Sequence, residues 1–252
     1  MTKIILFGCN GRMGQVVSRL AESMDDVEIV CGIDINEVQK NNYPVYKDPY
    51  DFKGKADAII DFSHPDMLGT LLNFAVTRKI PAVIATTGLL KKQIEALRLA
   101  SLDVAIFYSA NMSLGVNLLI ELVKNATCAL GDDFDIEIIE KHHNQKIDAP
   151  SGTALAIADA IAEASASPME HTYDRHSVRK KRSKNEIGIH AIRGGTIVGE
   201  HEVIFAGKDE IITIKHTAMS REIFASGAIK AAKYISTKKN GLFNMKDLVL
   251  NN

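Results

Sequence analysis

The densest chemistry in the sequence lies between Glu140 and Ala154, which reads Glu-Lys-His-His-Asn-Gln-Lys-Ile-Asp-Ala-Pro-Ser-Gly-Thr-Ala. Histidine holds or donates a proton near neutral pH, so His142 and His143 are candidate proton-transfer groups. The Lys146 amine suits a general acid or a carboxylate anchor. Pro150 sets the chain ahead of Ser151, a good helix N-cap, and Gly152 leaves the following backbone amides uncovered toward an anion. Together these groups read as a carboxylate cradle with proton-transfer chemistry beside it. Two alternatives stand next to that reading: a polar turn that is simply solvated, and a metal centre. Against the metal, adjacent His142 and His143 would point to opposite faces of a strand, and no H-x-x-x-H partner follows.

A second constellation is Gly8-Cys9-Asn10-Gly11-Arg12-Met13-Gly14. It follows an apolar run, Lys3 to Phe7, and precedes Val16, Val17, Leu20, Ala21 and Met24 at helical spacing. A strand, a glycine turn and a helix N-terminus in that order present backbone N–H groups and the positive helix end to a pyrophosphate. The spacing is G-x-x-G-x-x-G rather than G-x-G-x-x-G, so glycines shaping an ordinary turn are the plain alternative. Asp34 supports the dinucleotide reading, because it ends a β-rich run, Val27 to Ile33, at about the 20-residue offset from the glycines where an acid bonds the adenosine ribose. A 2′-phosphate would be repelled there without a cation; Ile35 comes next, although Arg12 can reach toward such a phosphate. NADH is therefore expected to serve at least as well as NADPH. Cys9 has no basic partner nearby and reads as a small packed residue.

The elements that must position these groups follow from pattern. Ala58 to Phe62, Ala82 to Thr86 and Val104 to Tyr108 read as buried parallel strands, with helices beginning near Asp66 and Lys91 and a less regular stretch over 35–55. Leu114 to Leu130 reads as a mostly apolar helix. Phe134 to Glu140 alternates toward the two histidines, and Ser151-Gly152-Thr153 opens another helix. Ile187 to Ile192, Thr196 to Phe205 and Ile211 to Thr217 have the spacing of an antiparallel meander, and about Arg221 to Thr237 is a last helix. The fold class is α/β: a Rossmann-type parallel sheet domain, plus a second α+β domain with a mixed or antiparallel sheet.

Composition bounds the partners. The 252 residues carry 30 Lys+Arg against 31 Asp+Glu, which gives no overall pull toward nucleic acid or membrane, so a small molecule is the expected ligand. The basic stretch Arg175 to Lys184, with Arg179-Lys180-Lys181-Arg182, reads as a solvated loop. Three cysteines, Cys9, Cys31 and Cys128, without a C-x-x-C pair fit a reducing compartment. No apolar stretch approaches the roughly 20 residues of a membrane span, and a soluble cytoplasmic protein is expected.

These residues resemble the 4-hydroxy-tetrahydrodipicolinate reductase (dihydrodipicolinate reductase) family. The likeness rests on Gly8 to Gly14, Ala85-Thr86-Thr87-Gly88, Ser109 to Asn117 and above all Glu140 to Ala154. Gly199-Glu200-His201, His216 to Arg221, Phe224 to Ala228 and Gly241-Leu242-Phe243 extend it over essentially the whole chain. The resemblance implies a dinucleotide-binding Rossmann domain over 1–113 and 222–252, a substrate-binding and oligomerisation domain over 114–221, and a homotetramer. It implies cofactor contacts from Gly8, Cys9, Asn10, Gly11, Arg12, Met13, Asp34, Ala85, Thr86, Thr87, Ser109, Ala110, Asn111 and Met112. Substrate would be held by His143, Lys146, Gly152 and Thr153, with His142 and Lys146 as proton donors and no metal. The implied reaction delivers hydride from the nicotinamide to C4 of a cyclic imine dicarboxylate, with loss of the 4-hydroxyl as water. Ile35 stands where many members have an arginine, Ala85 where others have glycine, and Met112 where others have phenylalanine. An aspartate or homoserine dehydrogenase is the competing enzyme, which should lack the Lys146 to Thr153 arrangement, and a dinucleotide sensor is the competing binder, which would need the glycine loop but not the second-domain histidines and lysine.

Overall fold

The computed structural model describes residues 1–250. In chain order its elements are β1 (Thr2–Phe7), α1 (Arg12–Glu22), β2 (Val27–Ile33), β3 (Val45–Tyr46), β4 (Ala58–Asp61), α2 (Leu68–Arg78), β5 (Ala82–Ile84), α3 (Lys91–Ala100) and β6 (Ala105–Tyr108). There follow α4 (Leu114–Leu130), β7 (Asp135–His142), α5 (Gly152–Ala164), β8 (Glu170–Thr172), β9 (Glu186–Arg193), β10 (Gly199–Ala206), β11 (Ile211–Ala218), α6 (Glu222–Ile235), β12 (Gly241–Phe243) and α7 (Met245–Leu250). They form two units: Met1–Leu114 with the chain from Arg221 onward, and Gly115–Ser220.

The first unit is a parallel sheet in the order β12-β6-β5-β4-β1-β2-β3. Apolar side chains run through its central strands because both faces are covered. Along β1, Ile4 and Leu6 join one core with Val17 of α1 and Ala228, Ile229 and Ala232 of α6. Ile5 and Phe7 join the other with Leu71 and Phe74 of α2 and Leu97 of α3. Gly227 lets α6 approach closely: a Cβ there would lie 1.7 Å from the Met112 carbonyl oxygen. The short β12 was not expected from the pattern; it adds to the β6 edge.

The second unit holds a mixed sheet ordered β11-β10-β7-β9-β8. Its helices α4 and α5 cover one face, where Leu119, Val123, Ile157 and Ile161 pack on Ile136, Ile138, Ile189, Val203 and Phe205. The expected three-strand meander is corrected here. Only β10 and β11 pair as neighbours in it; β7 lies between β9 and β10, parallel to the first and antiparallel to the second. The Gly194-Gly195 turn has hairpin chemistry, but it crosses the end of β7 and bonds it, Gly194 N–H to His142 O at 2.9 Å and Asn144 N–H to Gly195 O at 3.2 Å. A strand some fifty residues upstream had taken the slot that local spacing assigned to a direct partner.

Two further expectations change. Leu114–Asp133 is a helical run of 20 residues with mean hydropathy 1.2, so one stretch does meet the length and composition of a span, although Leu119 and Val123 of this helix lie in the second unit's core. Nor is the basic loop wholly solvated. Arg182 donates to Asp135 and Glu137 and to the Ile136 and Glu186 carbonyls, and Arg175 pairs with Glu137 and Glu186. β7 and the start of β9 supply these partners, which lie outside the loop.

Candidate active site

The alternation along β7 builds the second unit's polar cluster. Ile136 and Ile138 face the helices, and two and four residues further on the same face carries Glu140 and His142. Strand register then brings in the rest: His142 stands opposite Arg193 of β9, Glu140 opposite His201 of β10, and His201 opposite His216 of β11. Glu140 is fully buried. Its Oε1 accepts from Arg193 Nη2 at 2.7 Å and Ser151 N–H at 2.9 Å. Its Oε2 accepts from Arg193 Nη1 at 2.8 Å and meets His142 Nδ1 at 2.6 Å. Burial opposes ionisation of this carboxyl, but the donors from Arg193, His142 and Ser151 outweigh it and hold Glu140 below its ordinary value. Burial, reinforced by the Lys146 and Arg193 charges, lowers the His142 imidazole in spite of Glu140.

His201 packs edge-on against His142, ring centres 5.2 Å apart, and its Nε2 lies 3.0 Å from Ser151 Oγ. Burial above all, then the neighbouring His142, pushes His201 down to about 4, so it is neutral at physiological pH. Ser151 caps α5 as the sequence predicts, its Oγ accepting from Ala154 N–H at 3.2 Å.

The cradle at the start of α5 already holds a carboxylate from the chain itself. Lys146 Nζ lies 2.8 Å from Asp148 Oδ1. The Asp148 carboxyl is lowered chiefly by Lys146 and also by the Gly152 N–H. Gly152 is open, with no protein atom within 4 Å of a Cβ built there. His143 Nδ1 is buried without a hydrogen-bond partner. Thus Lys146, Gly152 and Thr153 lie at or beside one helix N-terminus, with His142 and His143 at the end of the adjoining strand. Asp148 shows in this molecule that Lys146 takes a carboxylate partner.

In the first unit the predicted cofactor residues gather at the carboxyl ends of the parallel strands: the glycine loop after β1, Asp34 after β2, Ala85 to Thr87 after β5, and Ser109 to Met112 after β6. Gly8 takes a positive φ of 72°, and a Cβ on Gly14 would sit 2.2 Å from the Gly8 carbonyl oxygen, so the turn closes only with glycine. The α1 N-cap is Gly11, with no side-chain cap and no acid in the first turn, which leaves those amides to an anion. Asp34 accepts Asn10 N–H at 2.9 Å and Asn36 N–H at 3.0 Å, one on each oxygen, and retains lone pairs for hydroxyl donors. Asn10 Oδ1 is buried and unpartnered. These residues fit a nicotinamide dinucleotide. Cys9, Ala85 and Met112 have buried side chains, so their backbones are what the site offers.

Sequence reasoning missed several groups. Lys40 Nζ lies 3.4 Å from the Asn10 carbonyl oxygen, a cation beside the glycine loop from the irregular 35–55 stretch. Asp61, buried at the end of β4 and raised by that burial, accepts from Thr86 Oγ1 at 2.7 Å and Ser63 N–H at 2.9 Å, tying two cofactor-side loops together. Glu140, Arg193 and His201 carried no assigned role; only strand pairing assembles them.

Comparison with known proteins agrees across the chain. Residues 2–112 match dihydrodipicolinate reductase, N-terminus, and residues 115–249 match dihydrodipicolinate reductase, C-terminus. A curated 4-hydroxy-tetrahydrodipicolinate reductase of Caldanaerobacter subterraneus subsp. tengcongensis is 53% identical over 249 residues, covering 99% of this chain and 98% of the relative. One from Clostridium novyi is 48% identical with the same coverage. Among solved structures, dipicolinate-bound dihydrodipicolinate reductase from Paenisporosarcina sp. TG-14 has a TM-score of 0.81 at 23% identity, over 97% of each chain, a likeness of fold.

Proposed function

The chain belongs to the dihydrodipicolinate reductase family, and on that premise we propose that it reduces 4-hydroxy-tetrahydrodipicolinate to tetrahydrodipicolinate, with loss of water, in diaminopimelate and lysine biosynthesis. It is an NAD(P)H-dependent oxidoreductase. The observation that carries the reading is the match over 99% of the chain at 53% identity. Lys146, already paired with a carboxylate, and the open Gly152 at the start of α5 give that match its chemistry.

The Gly8 to Met13 loop and the start of α1 hold the pyrophosphate, and Asp34 bonds the ribose hydroxyls. Ala85 to Thr87 and Ser109 to Met112 line the nicotinamide end. When bound, the nicotinamide supplies a hydride to substrate C4. Lys146, the Gly152 amide, the Thr153 hydroxyl and His143 hold the substrate carboxylates, and the Lys146 charge stabilises the negative charge that develops on the imine side. His142 and Lys146 deliver the proton to the reduced substrate. On this reading residues 1–113 with 222–252 are the dinucleotide-binding domain, and 114–221 bind substrate. The structural neighbour's bound dipicolinate, a cyclic dicarboxylate, supports that substrate class.

A homotetramer built through the second unit fits the sheet face turned away from α4 and α5, where Ile192 and Ile211 are exposed, and light scattering tests it. Three free thiols, two of them buried, fit a cytoplasmic setting. The deciding assay generates the cyclic substrate from pyruvate and aspartate semialdehyde and follows loss of reduced nicotinamide. Absence of turnover with both cofactors overturns the assignment.

A further inference from the structure

We propose that Glu140, clamped by Arg193, is a positioning residue that fixes which nitrogen of His142 exchanges protons: Glu140 holds the Nδ1 hydrogen, and Nε2 is left as the working atom. The proposal rests on the reading of His142 as a proton-transfer group.

The argument is one of donor and acceptor capacity. A guanidinium and a backbone N–H can only donate, and they supply three of the four contacts to the Glu140 carboxylate. They hold it ionised, and an ionised carboxylate can only accept. The remaining contact, 2.6 Å to His142 Nδ1, therefore has its hydrogen on the imidazole. Nε2 is turned toward Gly199, where a built Cβ would stand 3.1 Å away, so glycine at that position keeps the atom clear.

Charge points the same way. The titratable and charged groups facing His142 are Glu140 on its own strand, Arg193 of β9, His201 of β10 with His216 beyond it, and Lys146 from the following loop. Glu140 is the anion among them. Burial and the Lys146 and Arg193 charges favour the neutral imidazole, and Glu140 is what keeps His142 protonatable. Arg193 also donates from Nη2 to the Asp148 carbonyl at 2.5 Å, so one planar fork holds both the carboxylate behind His142 and the backbone of the loop that carries Lys146.

Two measurements on the full-length enzyme test this. In histidine-labelled nitrogen NMR, the His142 signal, identified by its loss in His142→Gln, is expected as the Nδ1–H tautomer. In Glu140→Gln, kcat should fall about 10²-fold, with KM and NADH affinity changing little. The pH limb below which the imidazolium acts should move to lower pH, because the carboxylate that raises the His142 pKa is gone; a purely structural role would not move it. An Nε2–H tautomer in the native enzyme, or a Glu140→Gln pH profile that superposes on the native one, overturns the proposal. Normal turnover of His142→Gln overturns the underlying reading as well, whereas an inactive His142→Gln with the Nε2–H tautomer sinks this proposal alone.

Discussion

On the proposed function, the glycine loop after β1 and the cluster at the end of β7 are two answers to one problem, holding an anion at a helix N-terminus, reached by opposite means. The loop does it with backbone: Gly8 and Gly14 permit the turn, Gly11 leaves the amides bare, and the Cys9 side chain points into the core. The cluster does it with side chains, Lys146 in front and a buried Glu140 with Arg193 behind. A backbone site tolerates changes of side chain and fails when a Cβ is added, whereas a side-chain site fails when single atoms are removed. The two should therefore break independently and by different substitutions.

The largest separation is expected from His142→Gln and Lys146→Ala, which should each lower kcat by roughly 10²-fold or more while leaving NADH affinity, read by calorimetric titration, nearly unchanged. Lys146→Ala and Thr153→Ala should also raise KM, since each removes a partner of the bound substrate. Near-normal turnover in both His142→Gln and Lys146→Ala would sink the proposed chemistry.

Acid should strike the side-chain cluster next. His201 stays neutral in the fold to about pH 4, whereas the unfolded chain takes up a proton near the ordinary value of 6.5, so stability is present above about 6.5 and is lost as pH falls toward 4. The loss is on the order of 3 kcal/mol. Thermal melts across that range should show it, and His201→Gln should flatten the slope; an unaltered slope removes His201 as the cause.

Adding one methyl to the backbone site is the converse experiment. Gly14→Ala forces a Cβ against the Gly8 and Cys9 carbonyl oxygens and should cost about 1–3 kcal/mol of stability together with NADH affinity. Arg12→Ala, an exposed side chain in the same loop, should leave NADH binding almost intact. Equal losses in the two variants would show that the loop does not work through its backbone.

The smallest effect concerns cofactor choice. NADH should match or exceed NADPH in kcat/KM, because Asp34 bonds a ribose diol and Ile35 offers no cation. Lys40 stands beside Asn10, so Lys40→Ala should weaken NADPH by about 3- to 10-fold and barely affect NADH. A strong NADPH preference that survives Lys40→Ala would point instead to Arg12.

The same contrast explains what could be read before the fold was known. Gly8, Gly11 and Gly14 were legible because a backbone requirement confines the residue type at fixed spacing. His142 was legible because its residue type and its place at the end of the β7 alternation are local, and the same alternation puts Glu140 on its face although no role was read for it. Arg193, His201 and His216 were not, since only the order β11-β10-β7-β9 brings them to Glu140. The Gly194-Gly195 turn misled for the same reason, its chemistry being that of a hairpin whose partner strand lies elsewhere. Lys40 was hidden in a stretch without periodicity, and Arg182 looked solvated because its acceptors, Asp135 and Glu137, lie over forty residues away.

Asp148 has a consequence for selectivity. Its carboxylate lies 2.8 Å from the Lys146 ammonium before any ligand arrives, and it is tethered only two residues away. A tethered group acts at an effective concentration in the millimolar range or above, so an incoming carboxylate does not fill a vacancy but must displace an equal. A molecule with one carboxylate exchanges like for like and gains almost nothing. A rigid dicarboxylate makes the same exchange and keeps its second attachment as surplus. On the proposed function the resident aspartate favours ligands with a second attachment, so discrimination comes from what is evicted as well as from what is bound.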